Sequence, residues 1–416
     1  MRHNFLFQLF AGEKSNSNPY ICELIKSLFM QDKISITGLS SVSSLGANPK
    51  DIWSNYLKDE SFLRVKQFDK FTAFVGEVPR QIKEELKELK SSNSKYKNLD
   101  TSVLFAIYTS RKALSQVNWS SDFGVNIGSS RGATELFENY YDAFKANEFG
   151  KTATLTSPTT TLGNIASWVA QDLQTSGPDI SHSITCSTAL HAVLNGIAWI
   201  QSGMCKTFLV GGSEAANTAF TLAQMRALKI YAPLSDNDKF PCRALDFKKQ
   251  VNTMVLGEGA VAMCLEKGVS EKSLAVIQGV GFASEELKHN ISISANAACF
   301  QKSMKMALKN AGLETVDAIV MHAPGTIKGD SSEYNAIQKV FGGQLPSLTT
   351  NKWKIGHTLG SSGVLSMELA VLMLQHQKFI SVPFSAVSKA PEKLETILVN
   401  SVGFGGNAVS ILLSSK

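Results

Sequence analysis

Two stretches of this chain are too apolar to face water on any side, and each follows a strand-like segment and a residue with reactive chemistry. From Ser187 to Ile200 the run carries Ala189, Leu190, Val193, Leu194, Ile197 and Trp199, and Val364 to Leu374 is built the same way. A surface helix keeps one polar stripe, so a helix apolar all round must lie between other layers. Strands are predicted at Ser181 to Ile184 ahead of the first run, and at Ala318 to Met321 and Ser347 to Thr350 ahead of the second. Alternation at Ile34 to Gly38, with a helix near Pro49 to Leu57, opens the pattern, and Thr207 to Val210 and Gly259 to Leu265 continue it. Thr396 to Val399, the turn Gly403 to Gly406 and Val409 to Leu413 read as a closing hairpin. Strands alternating with buried helices across short turns imply a layered α/β architecture whose second half repeats the plan of the first.

Composition bounds the function classes. A chain of 416 residues with 44% apolar and 18% charged content forms a sizeable core. Its six cysteines lie scattered without CxxC pairs, which speaks against a disulfide scaffold or zinc knuckle and for a reducing compartment, by default the cytoplasm. A net charge of +6 without a run of five basic residues gives no nucleic-acid footprint, while leaving a mild attraction to acidic partners. No stretch of eighteen uncharged apolar residues is present, so no membrane insertion is expected. Residues 1–32 are expected to be an appended element, or to precede a start at Met30. The charged region from Lys83 to Lys97 reads as a solvated surface helix and loop.

Cys186 sits where strand meets helix, and a helix N-terminus favours the thiolate through its unpaired N–H groups. Taken singly, a cysteine beside an apolar helix is more commonly inert packing, and a single histidine more commonly structural. The segment His322-Ala-Pro-Gly325-Thr326-Ile-Lys-Gly-Asp330-Ser-Ser-Glu333 is poor core material, however, and reads as a loop lining a site. Lys352 to Gly360 places a lysine and a second histidine, His357, ahead of the second apolar run.

Together these segments resemble the thiolase-like β-ketoacyl synthases, whose Cys-His-His set has this order. The 35 positions between His322 and His357 fit that family. The resemblance runs from about Lys33 to the C-terminus and includes Gly211-Gly212-Ser213-Glu214, Leu256-Gly257-Glu258-Gly259-Ala260 and Gly403-Phe404-Gly405-Gly406. It implies a thiolase-like fold of two pseudo-duplicated halves in a five-layered αβαβα arrangement, with halves at residues 33–268 and 269–416. It also implies decarboxylative condensation of an acyl thioester with malonyl carried on an acyl carrier protein.

In that reading Cys186 carries the acyl chain, and His322 and His357 stabilise the enolate left by decarboxylation. Lys352 fixes the histidines, with Glu333 as its ion-pair partner and Asp330 in support. The N–H groups of Cys186 and of the turn near Phe404 and Gly405 form an oxyanion hole, with Phe404 as gatekeeper. Thr326 and Gly325 flank the phosphopantetheine arm. The family further implies a homodimer, no metal and no diffusible cofactor, the arm being supplied by the carrier protein.

The sequence also departs from the family. Leu245-Asp246-Phe247 is followed by Lys-Lys-Gln-Val-Asn252-Thr253-Met254 where an Arg-Asp-Gly-Phe run is usual, and Ala215 to Leu228 is shorter than in housekeeping members. Ala323-Pro324 replaces the commoner Gly-Thr. These departures cluster around the pocket and favour a specialised polyketide or aryl polyene pathway over fatty-acid elongation. A thiolase would need a second cysteine between Val399 and Asn407, and the initiating synthases pair cysteine with His and Asn. A cysteine hydrolase dyad would leave His357 and Lys352 unexplained. A non-catalytic chain-length partner subunit remains the alternative, against which the retained Cys186 argues.

Overall fold

Apolar residues in the central strands point alternately to two faces, and both faces are buried. The computed structural model describes residues 33–162, 164–235, 238–286 and 294–416; the expectation for residues 1–32 lies outside the described residues. Its strands are β1 (Ile34–Val42), β2 (Arg64–Phe68), β3 (Phe71–Val75), β4 (Gly124–Gly128), β5 (Asp179–Ile180) and β6 (Thr207–Glu214), followed by β7 (Gly259–Lys267), β8 (Ala275–Ser284), β9 (Ala318–Val320), β10 (Ser347–Thr349), β11 (Thr396–Gly403) and β12 (Asn407–Ser414). The longer helices are α1 (Pro49–Leu57), α2 (Arg80–Ser92), α3 (Thr101–Leu114), α4 (Thr134–Ala146) and α5 (Asn164–Leu173), then α6 (Thr188–Gln201), α7 (Ala219–Ala227), α8 (Ala298–Ala311), α9 (Ile327–Phe341) and α10 (Ser362–His376).

The strand order is β5-β4-β6-β7-β1 in one half and β10-β9-β11-β12-β8 in the other. Each half holds two parallel pairs at its outer edge and two antiparallel pairs toward the middle, so the two topologies match strand for strand. The halves join where Ile34 to Ile36 of β1 pair with Ala275 to Ile277 of β8. Between them lie α6 and α10, in one core with Val261, Met263 and Leu265 of β7 and Ile397 and Val399 of β11. The alternate residues Ala260, Ala262 and Cys264 face α3 and α5, and Leu398 faces α8 and α9. The result is a five-layered αβαβα sandwich, and the two all-apolar runs are its central layer.

Two sequence expectations change. The strand expected at Ser181 to Ile184 is not formed there; the strand lies just before it, at Asp179–Ile180. The Ser181 hydroxyl accepts from the Ala166 N–H, the Ser183 hydroxyl donates to the Ser130 carbonyl, and the Ile184 N–H donates to Thr188 Oγ1, so side chains take the place of a ladder. The charged region after Lys83 is not wholly solvated: α2 buries Ile82, Leu86 and Leu89 on one face. The pair β2–β3 has no counterpart in the sequence reading.

Candidate active site

Cys186 follows Thr185, whose φ of +45° turns the chain sharply from the end of the first half's sheet into α6. The left-handed geometry is unusual for a β-branched residue and is held by its neighbours. Thr188 Oγ1 donates to the Thr185 carbonyl at 2.6 Å, Ser401 Oγ donates to the Cys186 carbonyl at 3.1 Å, and Ser187 Oγ donates to Asn407 Oδ1. Residues from the closing hairpin therefore hold the backbone around Cys186.

The thiol is not the resting thiolate that its position suggested. Burial pushes Cys186 up to about 12, and the nearby Glu214 carboxylate reinforces the shift against the opposing influence of Lys352 and Arg131. At the start of α6 the Ser187 N–H is engaged by the Ile184 carbonyl and the Thr188 N–H by the Thr185 carbonyl. Activation must therefore accompany attack, with a neighbouring base taking the proton.

His322 ends the strand segment begun by β9, and its backbone is clamped by Glu333. Glu333 Oε1 accepts from the His322 N–H at 3.0 Å, and Oε2 accepts from the Ala323 N–H at 2.9 Å. His357 is placed by Gly356, at φ +77°, where an added Cβ would sit 2.9 Å from the Val255 carbonyl oxygen. The His357 N–H then donates to that carbonyl at 2.7 Å. The two imidazoles meet edge to face with ring centroids 5.1 Å apart. Burial holds His322 well below its ordinary value, with His357 and Lys352 adding to the effect, and brings His357 down to about 3. Both are neutral at physiological pH, each able to donate one N–H and to accept one proton.

Cys186, His322, His357, Thr326 and Phe404 line one cavity of about 310 Å³. Phe404 is 40% exposed at its rim, and Lys328 stands exposed at the same mouth. Gly405 and Gly325 are not among the lining residues. Gly405 turns the hairpin at φ +97°, and the Gly325 carbonyl accepts from both Thr253 N and Thr253 Oγ1, so each shapes a loop behind the wall. Thr326 caps α9 by accepting from Gly329 N at 3.1 Å, which leaves its hydroxyl proton for a ligand.

The expected ion pair between Lys352 and Glu333 is absent among the described residues. Both Glu333 oxygens are taken by backbone N–H groups and Asn400. Lys352 Nζ instead donates to Asn351 Oδ1 at 3.0 Å and Ser366 Oγ at 3.2 Å, while Glu333 acts on it through space. Burial brings Lys352 down to about 8. Asp330 is buried in an ion pair of 2.6 Å with Lys249 and accepts from the Gly325 and Leu245 N–H groups. Asn351, Ser366 and Asn400 escaped the sequence reading because nothing in their spacing marks them. Glu214 stood inside a recognised motif but was given no role. Met225 and Met254, which wall the cavity, came from the segments noted as departures.

Comparison with known proteins follows the same outline. The model described as "Beta-ketoacyl synthase, N-terminal domain" matches residues 31–270, and that of the "C-terminal domain" matches residues 274–383. A 3-oxoacyl-[acyl-carrier-protein] synthase 2 of Coxiella burnetii is 28% identical, covering 92% of this chain and 98% of that protein. Nodulation protein E of a Rhizobium species is 26% identical over 83% of this chain and 87% of its own length. Among solved structures, a type II PKS ketosynthase in complex with its acyl-carrier protein superposes with a TM-score of 0.80 at 20% identity, covering 93% of this chain and all of that one (100%). A beta-ketoacyl synthase from Burkholderia phymatum gives 0.78 at 20% identity over 92% of this chain and 100% of that chain.

Proposed function

The chain belongs to the beta-ketoacyl synthase family of condensing acyltransferases, and from that premise we propose an elongating enzyme in which Cys186, His322 and His357 divide the chemistry. The observation that carries the assignment is one cavity presenting a buried thiol and two neutral imidazoles. In the first step the Cys186 sulfur attacks an acyl thioester, its proton passing by way of a neutral imidazole to the departing pantetheine thiolate. In the second, malonyl on its carrier loses carbon dioxide, and the enolate oxygen accepts hydrogen bonds from His322 and His357. The enolate carbon then bonds to the acyl carbon and expels Cys186. The N–H groups of Cys186 and Phe404 would hold the oxyanion in both acyl transfers. Lys352 would keep the histidines neutral, since its charge opposes theirs. Glu333 and Asp330 would fix the loops.

No step is routed through a metal or a diffusible cofactor; the phosphopantetheine arm would arrive with an acyl carrier protein, past Thr326 and Lys328. The net charge of +6 suits an acidic carrier. A homodimer is supported by the short edge strand β5 and by Phe137, Tyr141 and Phe220, which are 60%, 51% and 61% exposed. No helix among the described residues is long and apolar enough to cross a membrane, and the five cysteines among the described residues are free, which suits the cytoplasm. The segments that depart from the housekeeping pattern supply Met225, Met254 and Asn252 to the cavity wall, which supports a specialised pathway of polyketide or aryl polyene type.

Intact-protein mass spectrometry with carriers loaded with malonyl and with short and long acyl chains tests this reading. Acyl mass on the native protein but not on Cys186→Ala, with carbon dioxide release and a longer carrier-bound product, is expected. A folded native protein that takes up no acyl group from any carrier would overturn the assignment.

A further inference from the structure

Behind Lys352 the core holds a group of polar side chains that the mechanism above does not use. Asn351 is 1% exposed, Tyr56 2% and Glu368 2%, and they come from the β10 loop, α1 and α10. Asn351 Oδ1 accepts from Lys352 Nζ at 3.0 Å and from Ser366 Oγ at 3.4 Å. Because an ammonium only donates, that contact fixes the amide orientation and turns Nδ2 away from the lysine. Three buried polar atoms in this group lack a partner among the described residues: Asn351 Nδ2, Tyr56 Oη and Glu368 Oε2. The Asn351 side chain lies near enough to the Tyr56 hydroxyl to hydrogen-bond it, and the Glu368 charge acts on that hydroxyl through space. The other Glu368 oxygen accepts from Ser41 Oγ.

These atoms complement one another in order. An amide N–H donates, a phenol accepts with its oxygen and donates its proton, and a carboxylate accepts. Leaving all three unpaired in a dry core is costly, which favours their pairing with one another.

We propose that Asn351, Tyr56 and Glu368 are positioning residues for Lys352, a buried chain in which Lys352 donates to Asn351, Asn351 to Tyr56, and Tyr56 to the Glu368 carboxylate. The chain supplies Lys352 with a carboxylate in place of the direct ion pair it lacks. It keeps the ammonium charged and fixed beside the two imidazoles. The groups that face Lys352 are Glu333 and Asp330 from α9, the thiols Cys242 and Cys186, and the imidazoles His322 and His357. Ser41 from β1 and Tyr56 from α1 face Glu368. Burial brings Glu368 up to about 7, so its ionised form is available at neutral pH and above.

The sign of the effect follows. A negative group coupled to Lys352 raises the affinity of the lysine for its proton, and removing that charge lowers it. The alkaline limb of the decarboxylation profile should therefore move to lower pH when Glu368 is neutralised.

The inference rests on the condensing reaction proposed above and is tested on its separate halves. Wild type, Glu368→Gln, Glu368→Asp and Tyr56→Phe would be compared for Cys186 acylation by mass spectrometry and for carbon dioxide release from malonyl carrier across pH 6 to 10. In Glu368→Gln, carbon dioxide release should fall about tenfold, the scale of a coupled polar network, its alkaline limb should move down, and acylation should stay within about twofold. Glu368→Asp should recover most of the profile, and Tyr56→Phe should resemble Glu368→Gln. Equal losses in both half-reactions with an unmoved profile would make the group merely structural and overturn the proposal, as would a variant indistinguishable from wild type. A wild-type protein that releases no carbon dioxide would instead overturn the proposed function.

Discussion

The two halves share one strand order and one central helix each, yet present different chemistry at the same joint. At the start of α6 the chain presents a buried thiol one residue after the left-handed Thr185, tied by the hydroxyls of Thr188, Ser187 and Ser401. Ahead of α10 it exposes an imidazole five positions earlier, tied by main-chain bonds to Val255, with a second imidazole from the end of β9. A sulfur that forms and breaks bonds needs one fixed point. Oxygen charge that grows during decarboxylation needs two converging donors. The matching topologies supply comparable positions, and in the proposed mechanism the different residues at the joints divide covalent capture from charge stabilisation.

The largest effect should come from Cys186→Ala, which removes the bond-forming atom. Condensation is expected to fall on the order of 10⁴-fold or more, with no acyl adduct by mass spectrometry and an unchanged melting temperature. Lys249→Met tests how the halves are tied, since Lys249 lies between β6 and β7 while Asp330 belongs to α9. An unpaired carboxylate left in that core should cost roughly 3–5 kcal/mol, read from denaturant unfolding.

His357→Asn should lower condensation by about 10²–10³ while leaving Cys186 acylation nearly intact. Equal losses in both steps would erase the division of labour. Gly356→Ala places a Cβ 2.9 Å from the Val255 oxygen at a positive φ, and should cost about 1–3 kcal/mol in thermal or chemical unfolding.

The smallest effect concerns pH. His357 titrates at about 3 when folded, against 6.5 for a free imidazole. The unfolded chain therefore binds the extra proton between those values, and the stability tied to neutral His357 is present above pH 6.5 and lost as pH falls toward 3. The difference between wild type and His357→Asn should narrow over that window, measured by denaturant titration at several pH values.

Much of this was legible in the chain. The all-apolar runs around Val193 and Leu369 called for burial on every side, and the layered architecture follows from that; the second run is buried throughout, whereas the first leaves Ala198 exposed and Leu194 and Trp199 half-buried. Cys186, His322, His357 and Lys352 stood out because reactive or charged types at strand ends, beside glycines, make poor core. The partners of Lys352 were not legible. Glu333 was the natural counter-ion by charge and nearness in sequence, but two backbone N–H groups next to His322 claim its oxygens first.

Local pattern decides what a single strand or helix must bury, because period and polarity act within a few residues. Sequence alone therefore determined the central layer, the hairpin and the reactive types at the joints. Tertiary structure decided that Cys186 is a buried thiol, that both histidines are neutral, and that Asp330 answers Lys249 from 81 positions away. Charge states depend on desolvation and on neighbours brought together by the fold, and neither is written in the spacing of residues along the chain.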